Sequence, residues 1–316
     1  MPRLIAALAA LAFSLPAAAQ YPDKPVTLLA GYPPGGLVDI VTRLVAEGMK
    51  ARFPRGITVV NRPGAAGAVA VAEAARAAPD GYTLVLTPQS ALVIAAQMQD
   101  LAYKTPDDYE PLINLVAYYP MIAVRTESEY KSINDLIADA KANPGKLRVG
   151  SPGEGTSSHL NLEELMRVTG TKMVHVPFQG WGQSSPALLG GHIEALVAQP
   201  GELKGAVDGK RMRVLVNFRP QRLASFPDAP TAKELGWDVA NGVWYLLVAP
   251  KGTPAPVIRY IHDAAKTAIE DPKFAADMGN RGIDVDYRPG ATLRADLWRE
   301  YKVHTGILGR LGMLKK

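Results

Sequence analysis

The chain has 316 residues, 47% of them apolar, a formal charge of +5, five histidines and no cysteine. That length and apolar content suggest two domains with ordinary cores, and the missing cysteine excludes disulfides, thiol chemistry and a lipoprotein anchor. The basic excess is weak, with no Lys/Arg run or basic stripe interleaved with aromatics, so nucleic acid is not an expected partner.

Met1-Pro2-Arg3 is a short basic segment, Leu4–Leu15 is largely apolar, and Ala17-Ala18-Ala19 fits the small-residue rule of a signal peptidase. This pattern predicts export with cleavage after Ala19, leaving 316 − 19 = 297 residues. The apolar stretch is too short for an ordinary membrane-spanning helix.

VTLLAG (26–31) reads as a strand, followed by YPPGG and a helix with Leu37, Ile40, Val41, Leu44 and Val45 on one face. ITVVN (57–61) is a second strand, AAGAVAVAEAARAA a second helix, and YTLVLT a third strand ending in the loop TPQSA (87–91). The pattern restarts at MIAVRT and SINDLIADAKANPG, a strand and a Ser-capped helix with a Pro-Gly stop. LRVGS, GSPGEGTSSHL opening the run LNLEELM, MVHVPF, SSPALLGG, IEALVA and MRVLVNF continue the alternation. A short helix after Pro230, the strand VWYLLVAP and a helical tail from about 254 to 314, broken near 271 and 289, complete the chain. Alternating strands and helices in two halves predict an α/β fold. Residues 20–121 and 246–316 would form one domain and 122–245 the other, joined by crossings at 121–126 and 243–250.

Ligands bind at the carboxyl ends of strands in open α/β sheets. Three such loops stand out: GYPPGGLVD (31–39), TPQSA and GSPGEGTSSHL. Glycines let the backbone approach a ligand, and helix N-termini favour anions. The plain alternative for Gly35-Gly36 with Asp39 is a tight turn and an acid near a helix dipole. For Thr156 or Ser157 it is a helix cap. Two such loops, one in each half, favour a shared anion site. Neither contains Arg or Lys before its helix, so neutral donors are expected to hold the acid.

Catalysis finds little support. No GxSxG, HExxH, Walker A lysine or complete dinucleotide fingerprint occurs, and the histidines are scattered, so no catalytic residue, cofactor or metal is expected. His159 reads as a packed helix residue, since neighbours one or two apart on a helix do not face each other. Ser128-Glu-Tyr-Lys131 matches SxxK only by letters. Trp181, in a flexible stretch between strand and helix, is read as a pocket wall, and Trp244-Tyr245 as an interdomain crossing or hinge packing.

The ordered strings YPPGGLVD, NRPGAAG, PDGYTL, GSPGEGTSSHL, HVPFQG with LLGG, and LLVAPKGTP resemble the Bug proteins, periplasmic solute-binding components of tripartite tricarboxylate transporters. The resemblance spans the whole mature chain. It implies a two-domain type II periplasmic-binding-protein fold, joined by two crossing strands, that closes on a small organic carboxylate and serves transporter subunits as a monomer. A protein presenting its ligand to a sensor kinase is the alternative. Carried over, the ligand-facing residues are Tyr32, Pro33, Pro34, Gly35, Gly36 and Asp39; Thr87, Gln89 and Ser90; and Ser151, Gly155, Thr156, Ser157 and His159. Phe178-Gln179-Gly180, Trp181 and Ala198-Gln199 stand where family members often carry YKG, small residues and Asp-Asn. That makes the distal pocket non-standard, and an aromatic or apolar acid as reasonable as a di- or tricarboxylate.

Overall fold

A computed structural model describes residues 21–315, so the predicted signal peptide and its cleavage point lie outside the described residues. The strands are β1 (Val26–Ala30), β2 (Ile57–Asn61), β3 (Thr83–Pro88), β4 (Tyr109–Tyr118), β5 (Met121–Arg125), β6 (Arg148–Ser151), β7 (Val174–Pro177), β8 (Ala195–Ala198), β9 (Met212–Asn217), β10 (Val243–Pro250) and β11 (Asp284–Pro289). The α-helices are α1 (Leu37–Met49), α2 (Ala68–Ala75), α3 (Gln89–Val93), α4 (Ala95–Met98), α5 (Ile133–Ala142), α6 (Ser157–Thr169), α7 (Trp181–Leu189), α8 (Pro200–Asp208), α9 (Ala255–Glu270), α10 (Pro272–Asn280) and α11 (Gly290–Leu311).

The strands form two sheets, ordered β11-β4-β10-β3-β1-β2 and β7-β6-β8-β5-β9. In the first, β2, β1 and β3 run parallel and β10 is antiparallel to both β3 and β4. The second repeats that plan, with β7, β6 and β8 parallel and β5 antiparallel to β8 and β9. Strand alternation sends successive side chains to opposite faces, so each sheet buries two apolar layers. Leu28 and Leu29 enter separate clusters on the first sheet, as Ile122 and Ala123 do on the second. Helix α1 buries Leu37, Val41 and Val45, while Ile40 and Leu44, expected beside them, are only partly covered. It packs close to α9: a Cβ added to Gly48 would stand 2.5 Å from the Ala268 Cβ. Helix α5 has the expected cap, a reciprocal box between Ser132 and Asp135.

The tail is mostly helical, as expected, and the break before 290 holds an edge strand, β11, that pairs antiparallel with β4. Its DVDYRP sequence is half-exposed, and an edge strand lacks the apolar signal of a buried one. Four other expectations need correction. No helix follows Pro230; Thr231 bridges to Asn217 and the next residues make turns. TPQSA is no loop: Thr87-Pro88 end β3 and Gln89 starts α3. Trp181 is the first residue of α7, partly buried and packed against an apolar cluster, not part of a flexible stretch. Finally, β5 belongs wholly to the second sheet and β10 wholly to the first, so neither strand is itself a crossing. The chain passes between sheets at Tyr119-Pro120 and on the approach to Val243. These passages lie side by side, since a Cβ on Gly242 would stand 3.2 Å from the Tyr119 ring.

Candidate functional site

The carboxyl ends of β1, β2, β6, β7 and β8 feed loops that face one another across a cleft with two adjoining chambers. The first, about 120 Å³, is lined from the first half by Tyr32, Pro33, Pro34, Gly36, Leu37 and Val38. From the second half come Pro152, Gln179, Trp181, Gln183, Gln199 and Glu202, with Gly180 and Gly182. The second, about 250 Å³, lies between Gly64–Gly67 and the segments Pro152–Glu154 and Pro177–Gln179. Tyr32, Pro33, Pro152 and Gln179 belong to both.

Of the residues expected to face a ligand, Tyr32, Pro34, Gly36, Phe178, Gln179, Trp181 and Gln199 line the cleft. Gly35 and Asp39 instead build the loop. The Gly35 N–H donates to Asp39 Oδ2 at 3.0 Å, Arg43 Nε donates to both carboxylate oxygens, and Asn61 Nδ2 donates to Asp39 Oδ1 and the Tyr32 carbonyl. Burial pushes the Asp39 carboxyl up, but these hydrogen bonds and the Arg43 charge outweigh it and hold the pKa below its usual value. The loop thus keeps its shape, leaving the N–H groups of Gly36 and Val38 at the start of α1, where a helix provides no internal acceptor, while the Leu37 N–H faces the Glu202 carboxylate.

The stretch Gly150–Leu160 is placed differently. Ser151, Thr156, Ser157 and His159 are buried and line neither chamber. Thr156 Oγ1 donates to the Gly153 carbonyl at 2.8 Å and accepts from the His159 N–H at 3.2 Å, so its one donor is spent on the loop and its oxygen caps α6. Gly155, at φ +71°, packs against α4: a Cβ there would meet Met98 Sδ at 2.9 Å. Ser157 Oγ lies 3.3 Å from Gln89 Nε2, which also donates to the Gly242 carbonyl, while Gln89 Oε1 accepts from the Trp244 N–H. Gln89 therefore ties α3 to α6 and to the second passage between the sheets. Thr87 and Ser90 are buried beside it.

His159 is a packed residue, as expected. Its Nδ1 accepts from the Gly155 N–H, and its ring stacks on His175 with centroids 3.7 Å apart. Ser151 Oγ lies 2.7 Å from His175 Nε2. Burial, with the neighbouring His159, lowers the His175 pKa to about 3, so this ring is neutral near pH 7. The Ser151–His175 pair has the letters of a nucleophile and base, but Ser151 is sealed and also bonded to Gly153.

Two parts of the cleft escaped sequence reasoning. One is the turn Gly64–Gly67, where Ala65 and Ala66 have φ of +48° and +53° and Gly67 has +94°. Left-handed alanines are strained, and consecutive N–H groups in such a turn form an anion-binding concavity. Gly67 N and Ala68 N bond back to Gly64 and Ala65, which leaves the N–H groups of Ala65 and Ala66 ahead of the first helical bonds of α2. The motif NRPGAAG was the available signal. The other is Glu202, in the first turn of α8, where an acid near a helix start gave no signal of a site.

A family profile described as "TctC: Tripartite tricarboxylate transporter family receptor" matches residues 41–297. The chain belongs to this family. A relative from Cupriavidus necator, the UPF0065 protein in the gbd 5′ region, is 34% identical, covering 99% of this chain and 96% of that protein. BugT of Bordetella pertussis is 30% identical over 81% of each. The structure of the periplasmic binding protein BugD superposes with a TM-score of 0.87 at 26% identity, covering 94% of this chain and all of that one. MatC of Rhodopseudomonas palustris, solved with bound malate, gives 0.85 at 26% identity, covering 91% of this chain and all of that one. This TctC-family chain is a solute-binding protein and not an enzyme, with the paired α/β architecture of its periplasmic neighbours.

Proposed function

We propose that this protein captures a small organic carboxylate in the periplasm, between two closing domains, and delivers it to a tripartite tricarboxylate-type membrane transporter. One observation carries the reading: the cleft is lined by two helix starts with unspent N–H groups, and among the described lining residues there is no Lys, Arg or His. Neutral backbone donors aided by helix dipoles, with ordered water filling gaps, are then the means of holding the acid. The malate bound by MatC supports the ligand class, and the family supports the transporter. Export with cleavage after Ala19 is part of the same proposal. So is closure about the paired passages near Tyr119 and Gly242, where a few backbone angles absorb the motion.

The test is a thermal-shift screen of stripped protein against mono-, di- and tricarboxylates and aromatic acids. A ligand at a hundred times its Kd raises stability by about 2.7 kcal/mol. Solution scattering of the same samples should show a smaller radius with ligand. A screen in which no carboxylate stabilises the protein contradicts the proposal.

A further inference from the structure

The first chamber is built to accept hydrogen bonds, which a pure carboxylate clamp has no use for. Gln199, the residue before α8, is only 7% exposed and lines the chamber. Its Oε1 is buried without a hydrogen-bond partner. A buried acceptor left unpaired is costly, so its natural complement is a donor on the solute. Glu202 lines the same chamber from the first turn of α8, and a Cβ on Gly36 would stand 4.0 Å from its Oε1. No cation neighbours its carboxylate among the described residues; only the Leu37 and Gln199 N–H groups favour the charge. Burial outweighs them and lifts its pKa to about 7. Among the described residues, the only charged ones lining either chamber are Glu202 and Glu154.

Two acids, an unpaired amide carbonyl and no cation give this cleft a negative character away from its helix starts. A second carboxylate on the solute could be met here only by a protonated Glu202, since no cation among the described residues lines the chamber. A protonated amine satisfies Glu202 and Gln199 together, and the Tyr32 and Trp181 rings beside them suit a cation. We propose that Gln199 and Glu202 form a specificity-determining subsite for an ammonium group, so that the solute is an amino-substituted carboxylic acid rather than a dicarboxylate. This rests on the carboxylate reading above and names the solute class within it.

Calorimetry on protein stripped of cargo by unfolding and refolding tests it, with three matched series: straight-chain α- and ω-amino acids, dicarboxylates, and unsubstituted monocarboxylates. The wild type should bind a member of the amino-acid series most tightly. E202Q should weaken that binding by about ten- to a hundredfold, the range for losing a charged hydrogen bond, and narrow the gap to the dicarboxylates. Gln199→Leu should weaken it too, while the melting temperature of each variant reports folding. If a dicarboxylate or plain acid is the tightest ligand, or if E202Q folds and binds amino acids like wild type, the subsite is overturned and the carboxylate reading stands. If no series binds, the subsite fails, and the carboxylate reading fails with it when the tricarboxylates and aromatic acids of the wider screen do not bind either.

Discussion

The helix starts at Gly64–Gly67 and at Gly150–Leu160 are both rich in small residues, yet they face different surroundings. The first opens onto the cleft, with the N–H groups of Ala65 and Ala66 ahead of the bonded turn. The second is buried and turned to itself and to the other half: Thr156 donates to Gly153 and caps α6, His159 accepts from Gly155, and Ser157 Oγ accepts from Gln89. Hydroxyls beside glycines announce a helix start. Whether that start holds an anion depends on whether the hydroxyls are already consumed, and here the loop without hydroxyls is the one left free.

The sharpest way to break this contrast is to put charge into the open turn. Ala66→Asp places a carboxylate beside the proposed anion position, and aspartate tolerates left-handed backbone. Affinity for the acid found in the screen should drop by about a hundredfold, roughly 2.7 kcal/mol, with little change in melting temperature. An unchanged Kd by calorimetry would remove Gly64–Gly67 from the site.

The buried start should answer in stability. Gly155→Val adds a branched side chain at φ +71° against Met98. Strain and overpacking together should cost about 2–4 kcal/mol in denaturant melts. By contrast, a Cβ on Gly36 meets ordinary contacts, the nearest 3.7 Å away, so Gly36→Ala should leave stability almost unchanged. Thr156→Val removes the cap and should cost about 1 kcal/mol while Kd stays within twofold, roughly 0.4 kcal/mol. If Thr156→Val weakens binding tenfold without lowering stability, the two starts are alike after all.

The smallest effect is a pH dependence. Glu202 has a folded pKa raised from 4.5 to about 7, so its contribution to stability is full below 4.5 and is lost as pH rises through 7. The titratable groups facing it are the Tyr32, Tyr118 and Tyr245 hydroxyls, which burial raises and keeps protonated. His175 and His304, lowered to about 3 and 4, have the opposite sign: they lose stability as pH falls below 6.5. Subtracting the melting curves of E202Q from those of wild type isolates Glu202. The difference should move against wild type between pH 5 and 8. Over the same range the wild-type affinity for an ammonium-bearing acid should rise, with E202Q flat.

Much of the architecture was legible because parallel strands such as VTLLA and YTLVLT are apolar runs followed by amphipathic helices. The edge strand β11 was not, since its side chains divide between solvent and sheet and mimic a polar helix break. The cleft lining was legible where loops end strands, as at Tyr32, Gln179 and Gln199. Sequence did not show that Ser151, Thr156 and Ser157 are buried away from both chambers, because it shows a hydroxyl but not its surroundings. Glu202 was invisible because its role comes from its position opposite the start of α1, a contact between residues 165 positions apart.

The central claim is that neutral backbone donors on the first half's helix starts hold the solute's carboxylate. A crystal structure with the tightest ligand of the screen tests it most directly. The account predicts a carboxylate oxygen about 3 Å from the N–H of Ala65 or Ala66, or one water away, with no Lys or Arg in contact. A carboxylate seated on the Thr156 and Ser157 hydroxyls, or paired with an arginine or lysine drawn into the cleft, would contradict it.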